Sequence, residues 1–143
     1  MEHSPTRPTA KGPATTFTGD VHVTPIAAPS DGSRVSAALV RFTPGARSNW
    51  HVHDHGQTLH GADGSGVVVN RAGQVLRIRP GETVWTPPGE EHWHGASEDT
   101  LMAHYTFLEV NDDGSDPTHW LEPVTDEQYR AAQATVREPH PEA

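Results

Sequence analysis

The chain lacks cysteine, lacks any long apolar run and carries little positive charge, and each absence removes a class of function. With no cysteine among 143 residues there is no disulfide framework, no thiol nucleophile and no thiolate to bind metal. That absence is neutral about compartment. The opening Met1-Glu2-His3-Ser4-Pro5 has neither the basic start nor the apolar core of a secretion signal, so the expected location is the cytoplasm. No stretch approaches the ~20 apolar residues that span a bilayer, so no membrane partner is expected. Ten Lys and Arg against nineteen Asp and Glu leave a net charge of −9. That is the wrong sign for a nucleic-acid partner. What the chain has in abundance is glycine (13), proline (13) and histidine (11). The first two predict many turns between short strands, and the third asks for a chemical explanation.

The length suits one domain. Residues 1–16, with Pro5, Pro8 and Pro13, read as a flexible arm, residues 17–137 as the folded domain, and residues 138–143 as a disordered tail. Short strands are predicted around Val21 and Val23, over 35–42, 50–53, 57–60, 67–70, 75–79, 83–86 and 91–94, and over 101–110. In the hairpin about Ala72-Gly73, Leu76 and Ile78 are expected to face in, with Arg77 and Arg79 in water. Gly61, Gly64 and Gly66 mark a bend where backbones approach closely. Thr125 caps a single helix, Gln128 completes the capping box, Val124 staples to Tyr129, and the helix runs to about residue 136. Many short strands punctuated by Pro and Gly give an all-β, double-sheet jelly roll with a short C-terminal helix.

The histidines concentrate at His51-Val52-His53, followed by Gln57, and at Pro87-Pro88-Gly89 followed by His92. His51 and His53 are two apart, so on a strand both rings point to one face. Three imidazoles and an amide can close around one divalent ion, and neutral imidazole suits Mn, Fe, Co, Ni, Cu or Zn.

The frame Gly45-(five residues)-His51-Val52-His53-(three)-Gln57-(six)-Gly64, then Gly81-(five)-Pro87-Pro88-Gly89-(two)-His92, resembles the two motifs of the cupin superfamily. The resemblance implies a cupin-type barrel with His51, His53, Gln57 and His92 as metal ligands. Gln57 stands where that superfamily usually has Glu, and Ala96 where it usually has Asn. An all-neutral ligand set leaves the ion's 2+ charge undiminished, which makes it a stronger Lewis acid. Four ligands on a six-coordinate ion leave positions for water or substrate.

Within the superfamily, the stretches 44–53, 56–59 and 88–96, with Gly12-Pro13 through Phe17-Thr18-Gly19 and 124–129, look like small bacterial manganese-dependent hydroxynitrile lyases, in which Gln is the ordinary fourth ligand. The likeness covers nearly the whole chain except the first ten and last dozen residues. This likeness implies Mn(II) as the favoured ion, with Fe(II), Ni(II), Co(II) or Zn(II) as others, and a homodimer or homotetramer in which residues 21–26 could exchange between subunits. It also implies a small-molecule substrate and His104 as general base. The strand period places Met102, His104, Thr106 and Leu108 on one face, which suits that role. His94 shares the inward face of His92 and is expected to orient ligand or substrate. Ala38, Val40, Thr106 and Leu108 are expected around the substrate. The segment Leu59-His60-Gly61-Ala62-Asp63 and Leu108 depart from the lyase pattern, so they bear on the pocket and not on the metal. Trp50 and Trp93 should face away from the ion, Trp85 is a candidate for the pocket lining, His55 should be solvated and His60 outward. The expected activity is cyanohydrin cleavage or formation. The rivals are a non-haem dioxygenase and a non-enzymatic, ligand-sensing metal protein.

Overall fold

The computed structural model describes residues 1–30 and 32–137, so the expected tail lies outside the described residues. Among the described residues thirteen strands form two antiparallel sheets. The first has the order β1 (Ala10–Lys11), β3 (Val21–Ala27), β4 (Val35–Phe42), β12 (Met102–Glu109), β7 (Gln57–Gly64), β10 (Thr83–Thr86). The second centres on β11 (His92–Ala96). On one side β11 pairs with β8 (Gly66–Asn70), which pairs with β9 (Val75–Ile78). On its other side runs the segment 47–53, interrupted at Asn49 and Trp50 into β5 (Arg47–Ser48) and β6 (His51–His53). Two further short strands complete that edge. β2 (Phe17–Thr18) pairs with β5, and β13 (Thr118–Trp120) pairs with β6.

The alternating pattern explains where the core lies. Inward residues of both sheets, among them Val21, Val40, Phe42, Leu59, Val68, Ile78 and Met102, form one buried cluster between them. The outer face of the second sheet is covered by helix α1 (Asp126–Val136). There Trp50, Val67, Val69, Trp93, Val124 and Tyr129 form a second cluster. β8 is therefore apolar on both faces, and Trp50 and Trp93 point away from the histidines, as the strand parity requires. Thr125 caps α1, Gln128 closes the capping box, and Val124 and Tyr129 pack in the same cluster. Buried Arg47 holds the helix N-terminus to the sheet through Val124 O and Asp126 Oδ1, with its guanidinium over the Tyr129 ring.

Some expectations need correction. The arm is not free along its whole length, because Ala10 and Lys11 pair with Val23 and His22, and Gly12 N donates to Val21 O. Leu76 is 41% exposed while Ile78 is fully buried. Leu76 pairs with inward Val68, but β9 is an edge strand, so the Leu76 side chain stays partly open. Arg77 is half-buried and donates to Val136 O at the helix end, so it does not stand in water. The close approach at 61–66 is real, since a side chain at Gly64, which has φ +65°, would collide with the Leu101 carbonyl. Among the described residues no helix is long and apolar enough to cross a membrane.

Candidate metal centre

β6 and β11 create the site by register. His51 lies directly opposite His92, and their ring centroids are 4.3 Å apart. His53, two residues along β6, brings its ring to 5.0 Å from His51 and 5.4 Å from His92. One nitrogen from each of the three lies within 4.8 Å of the others, and all three residues are buried. Gln57 is the first residue of β7, on the opposite sheet, and its amide crosses the barrel toward the imidazoles.

Hydrogen bonds on the outer side of each ligand determine what faces inward. His51 Nδ1 is 2.9 Å from Asn49 O, and His92 Nδ1 is 2.9 Å from Glu90 O. A carbonyl only accepts, so both Nδ1 atoms carry the proton and both Nε2 atoms present bare lone pairs. Thr118 Oγ1 holds His53 Nδ1 at 2.9 Å, and His53 Nε2 is buried with no partner. Gln57 Nε2 donates to Thr106 Oγ1 at 2.6 Å, which turns Oε1 inward, 3.0 Å from His92 Nε2. In this orientation two acceptors face each other inside the protein, and a cation beside them would satisfy both. The donor set and its outer hydrogen bonds fit a divalent cation held by His51, His53, His92 and Gln57.

The electrostatics agree. Burial, reinforced by like-charged neighbours, holds His51 well below the ordinary imidazole range. Burial brings His53 down to about 4 and also lowers His92. The three clustered imidazoles are therefore neutral near pH 7, the form that could bind a metal.

Beside them lies a second pair. His94, on β11, and His104, on β12, are both buried, and His104 Nε2 is 3.0 Å from His94 Nδ1. Burial depresses both, His104 to about 4. A neutral pair has two protons, and one occupies the hydrogen bond between the rings. The other sits on His94 Nε2 or on His104 Nδ1, so one outer nitrogen is a bare acceptor. Neither outer nitrogen has a hydrogen-bond partner. The His94 ring lies 5.1 Å from that of His51, so His94 stands between the ligands and His104.

A cavity of about 130 Å³ opens onto His51, His53, Gln57, His94 and His104. Of the residues expected around the substrate, Val40, Thr106 and Leu108 line it. Ala38 shares their face opposite Thr106 but packs against the core cluster. Trp85 is 56% exposed and outside this cavity, because it pairs with Thr58, whose parity is opposite to that of Gln57. His55 is exposed and bonded to Asn111, and His60 meets Thr83 Oγ1 on the outer face. Phe17, Thr118 and Trp120 also line the cavity. The pairing of β2 and β13 with β5 and β6 brings them there. A larger cleft, about 630 Å³, lies between α1 and the 97–99 loop, and among the described residues no imidazole lines it.

Residues 38–110 match the model of the Cupin domain family, about half of the chain. The chain is a cupin. It is 47% identical over 120 residues, 84% of its own length and 90% of the relative's, to a protein named (R)-mandelonitrile lyase from Granulicella tundricola. Among solved structures, a cupin-like protein from Thermotoga maritima is 35% identical, with a TM-score of 0.79 over 86% of this chain and 92% of that one. A cupin 2 conserved barrel domain protein from Rhodopseudomonas palustris shares the fold at a TM-score of 0.67 and 14% identity, over 85% of this cupin and 79% of that chain. The matched segment contains the three-histidine cluster, Gln57, His94 and His104. It excludes Phe17, Thr118 and Trp120.

Proposed function

We propose that this cupin is a metal-dependent lyase that interconverts a small hydroxynitrile with its carbonyl compound and hydrogen cyanide. The observation that carries the reading is that one cavity is lined by His51, His53 and Gln57, which cluster with His92, and by the hydrogen-bonded pair of His94 and His104. The likeness to a protein named (R)-mandelonitrile lyase supports the same chemistry.

A divalent cation at His51, His53, Gln57 and His92, with Mn(II) proposed, supplies Lewis acidity that makes a bound hydroxyl easier to deprotonate. The chain's own residues do the rest. His104, working with His94, takes the hydroxyl proton on the bare outer nitrogen of the pair. As the O–H pair becomes the new C=O bond, the C–CN bond breaks and its electrons leave with cyanide. The proton held by the histidine pair then passes to cyanide, and the pair is restored. Val40 and Leu108 keep the reacting carbon in an apolar surround, and Thr106 keeps Gln57 oriented.

The test is mandelonitrile cleavage by chelator-stripped protein with and without added Mn(II). The expected result is metal-dependent release of benzaldehyde and cyanide, with His104→Ala slower by roughly 100-fold or more, the ordinary scale of general base catalysis. Release no faster than background in the Mn(II)-loaded protein overturns the proposal. Oxygen uptake with iron in place of lyase activity would point to the dioxygenase.

A further inference from the structure

The edge of the second sheet beside the histidines is assembled from two ends of the chain. Phe17 pairs opposite Ser48 and Trp120 opposite His51, so β2 and β13 follow one another along a single broken strand. Alternation along β13 directs Thr118 to His53 and Trp120 to His51, with His119 outward. The Trp120 ring lies 4.8 Å from that of His51, and Phe17 meets Trp120 edge-on at 5.7 Å. Phe17 also meets Phe42 at 6.1 Å. One wall of the cavity is therefore aromatic, built on the ring of a candidate ligand and supplied from outside the segment that matches the family.

Asn49, at the break between β5 and β6, holds the two ends together. It is 3% exposed. Its Nδ2 donates to Thr15 O at 2.9 Å, two residues before Phe17, and to Leu121 O at 3.2 Å, one residue beyond β13. Its backbone N donates to Thr16 O, and its carbonyl accepts from His51 Nδ1. A single buried side chain thus couples the Phe17 end, the Trp120 end and the orientation of His51.

We propose that Phe17 and Trp120 are the specificity-determining surface of this cavity, selecting a flat apolar substituent over a small aliphatic one, and that Asn49 is the positioning residue that keeps them in register with His51. This rests on the reading of the cavity as the reaction site. A void of about 130 Å³ has the right scale, since an apolar cavity of about 150 Å³ in another protein admits one benzene ring. Aromatic faces and edges also reward a second ring by more than the area it buries.

The experiment uses the full chain loaded with Mn(II) and follows the proton relaxation of benzaldehyde and of propanal, two probes that need no turnover. In the wild type benzaldehyde should bind more tightly than propanal. Trp120→Ala should cut the Kd ratio by about tenfold or more, the scale set by one misfitted apolar group, while the Mn(II) content stays unchanged. Trp120→Phe, which preserves a ring, should retain most of the preference and covers the case in which the alanine variant does not fold. Asn49→Ala should lower the same ratio and raise KM for mandelonitrile more than it lowers kcat. Equal binding of the two probes by the wild type, or an unchanged ratio in both Trp120 variants, overturns the wall. Lost stability with an unchanged ratio overturns the role of Asn49. Turnover with an unchanged ratio leaves the lyase reading standing, whereas an intact aromatic preference without turnover removes the lyase and keeps the wall.

Discussion

Thr106→Val tests whether the metal site depends on the orientation of one amide. The substitution keeps the branched shape and removes the hydroxyl that accepts from Gln57 Nε2 at 2.6 Å. Gln57 is 4% exposed, so its NH₂ group would lose its partner without gaining water. Leaving a buried polar group unsatisfied costs about 1–3 kcal/mol. The amide can relieve that cost by rotating, but rotation turns NH₂ toward the ion and removes Oε1 from its inward position. Either response is paid out of binding, and the losses when outer hydrogen bonds to metal ligands are cut run roughly 10–100-fold. Those factors correspond to about 1.4–2.7 kcal/mol, the same range as the lost hydrogen bond. Calorimetric titration of stripped protein with Mn(II) should therefore show Thr106→Val weaker by about ten- to a hundredfold. Thr106→Ser, which keeps the hydroxyl, should bind nearly as the wild type. In a double-mutant cycle with Gln57→Ala the two losses should not add, because both remove the same ligand. An affinity within twofold of wild type for a folded Thr106→Val, or equal losses for Val and Ser, would refute the reasoning.

The remaining predictions concern acid, the helix and assembly. His104 is held at about 4 and His94 well below its ordinary value, both chiefly by burial, so between pH 4 and the unfolded value near 6.5 the unfolded chain binds more protons than the folded one. Stability of the stripped protein should then be full above about pH 6.5 and fall toward pH 4, by about 1.4 kcal/mol per pH unit for each such histidine. Urea midpoints that are flat across that window would contradict the burial argument. Tyr129→Phe removes a 2.6 Å donor to the buried Ala96 carbonyl and should cost about 1–3 kcal/mol in urea unfolding without changing Mn(II) content. A change in metal content would show that helix docking and the site are coupled. The homodimer or homotetramer implied by the lyase resemblance should appear as a multiple of 15.5 kDa in light scattering, and a monomer would refute it.

What could be read from the chain alone was whatever depends on spacing within one element. His51 and His53 share a face because they are two apart, and the helix start follows from Val124, Thr125 and Gln128, all within a few residues. His94 could be placed on the face of His92 by the same parity, but its bond to His104 could not, because β11 and β12 belong to different sheets and only the curvature of the barrel brings the rings together. The misplacement of Leu76 has a related origin. Parity assigns a side of the sheet and does not say whether anything covers it, and the edge strand β9 leaves that side open.

Phe17, Thr118 and Trp120 show the limit most clearly. β2 and β13 are two and three residues long, too short for a period to register, and they flank the break at Asn49 and Trp50, whose backbone groups bond to the segments beside them. Trp50 N and O are taken by Glu122 O and Leu121 N, and Asn49 N by Thr16 O. The same break places the Asn49 carbonyl on His51 Nδ1. The residues that complete the cavity wall are therefore recruited by the hydrogen-bonding needs of the strand that carries the ligands. Substitutions near Asn49 should then move substrate preference and metal-site geometry together, although neither Phe17 nor Trp120 reaches the ion's proposed ligand positions.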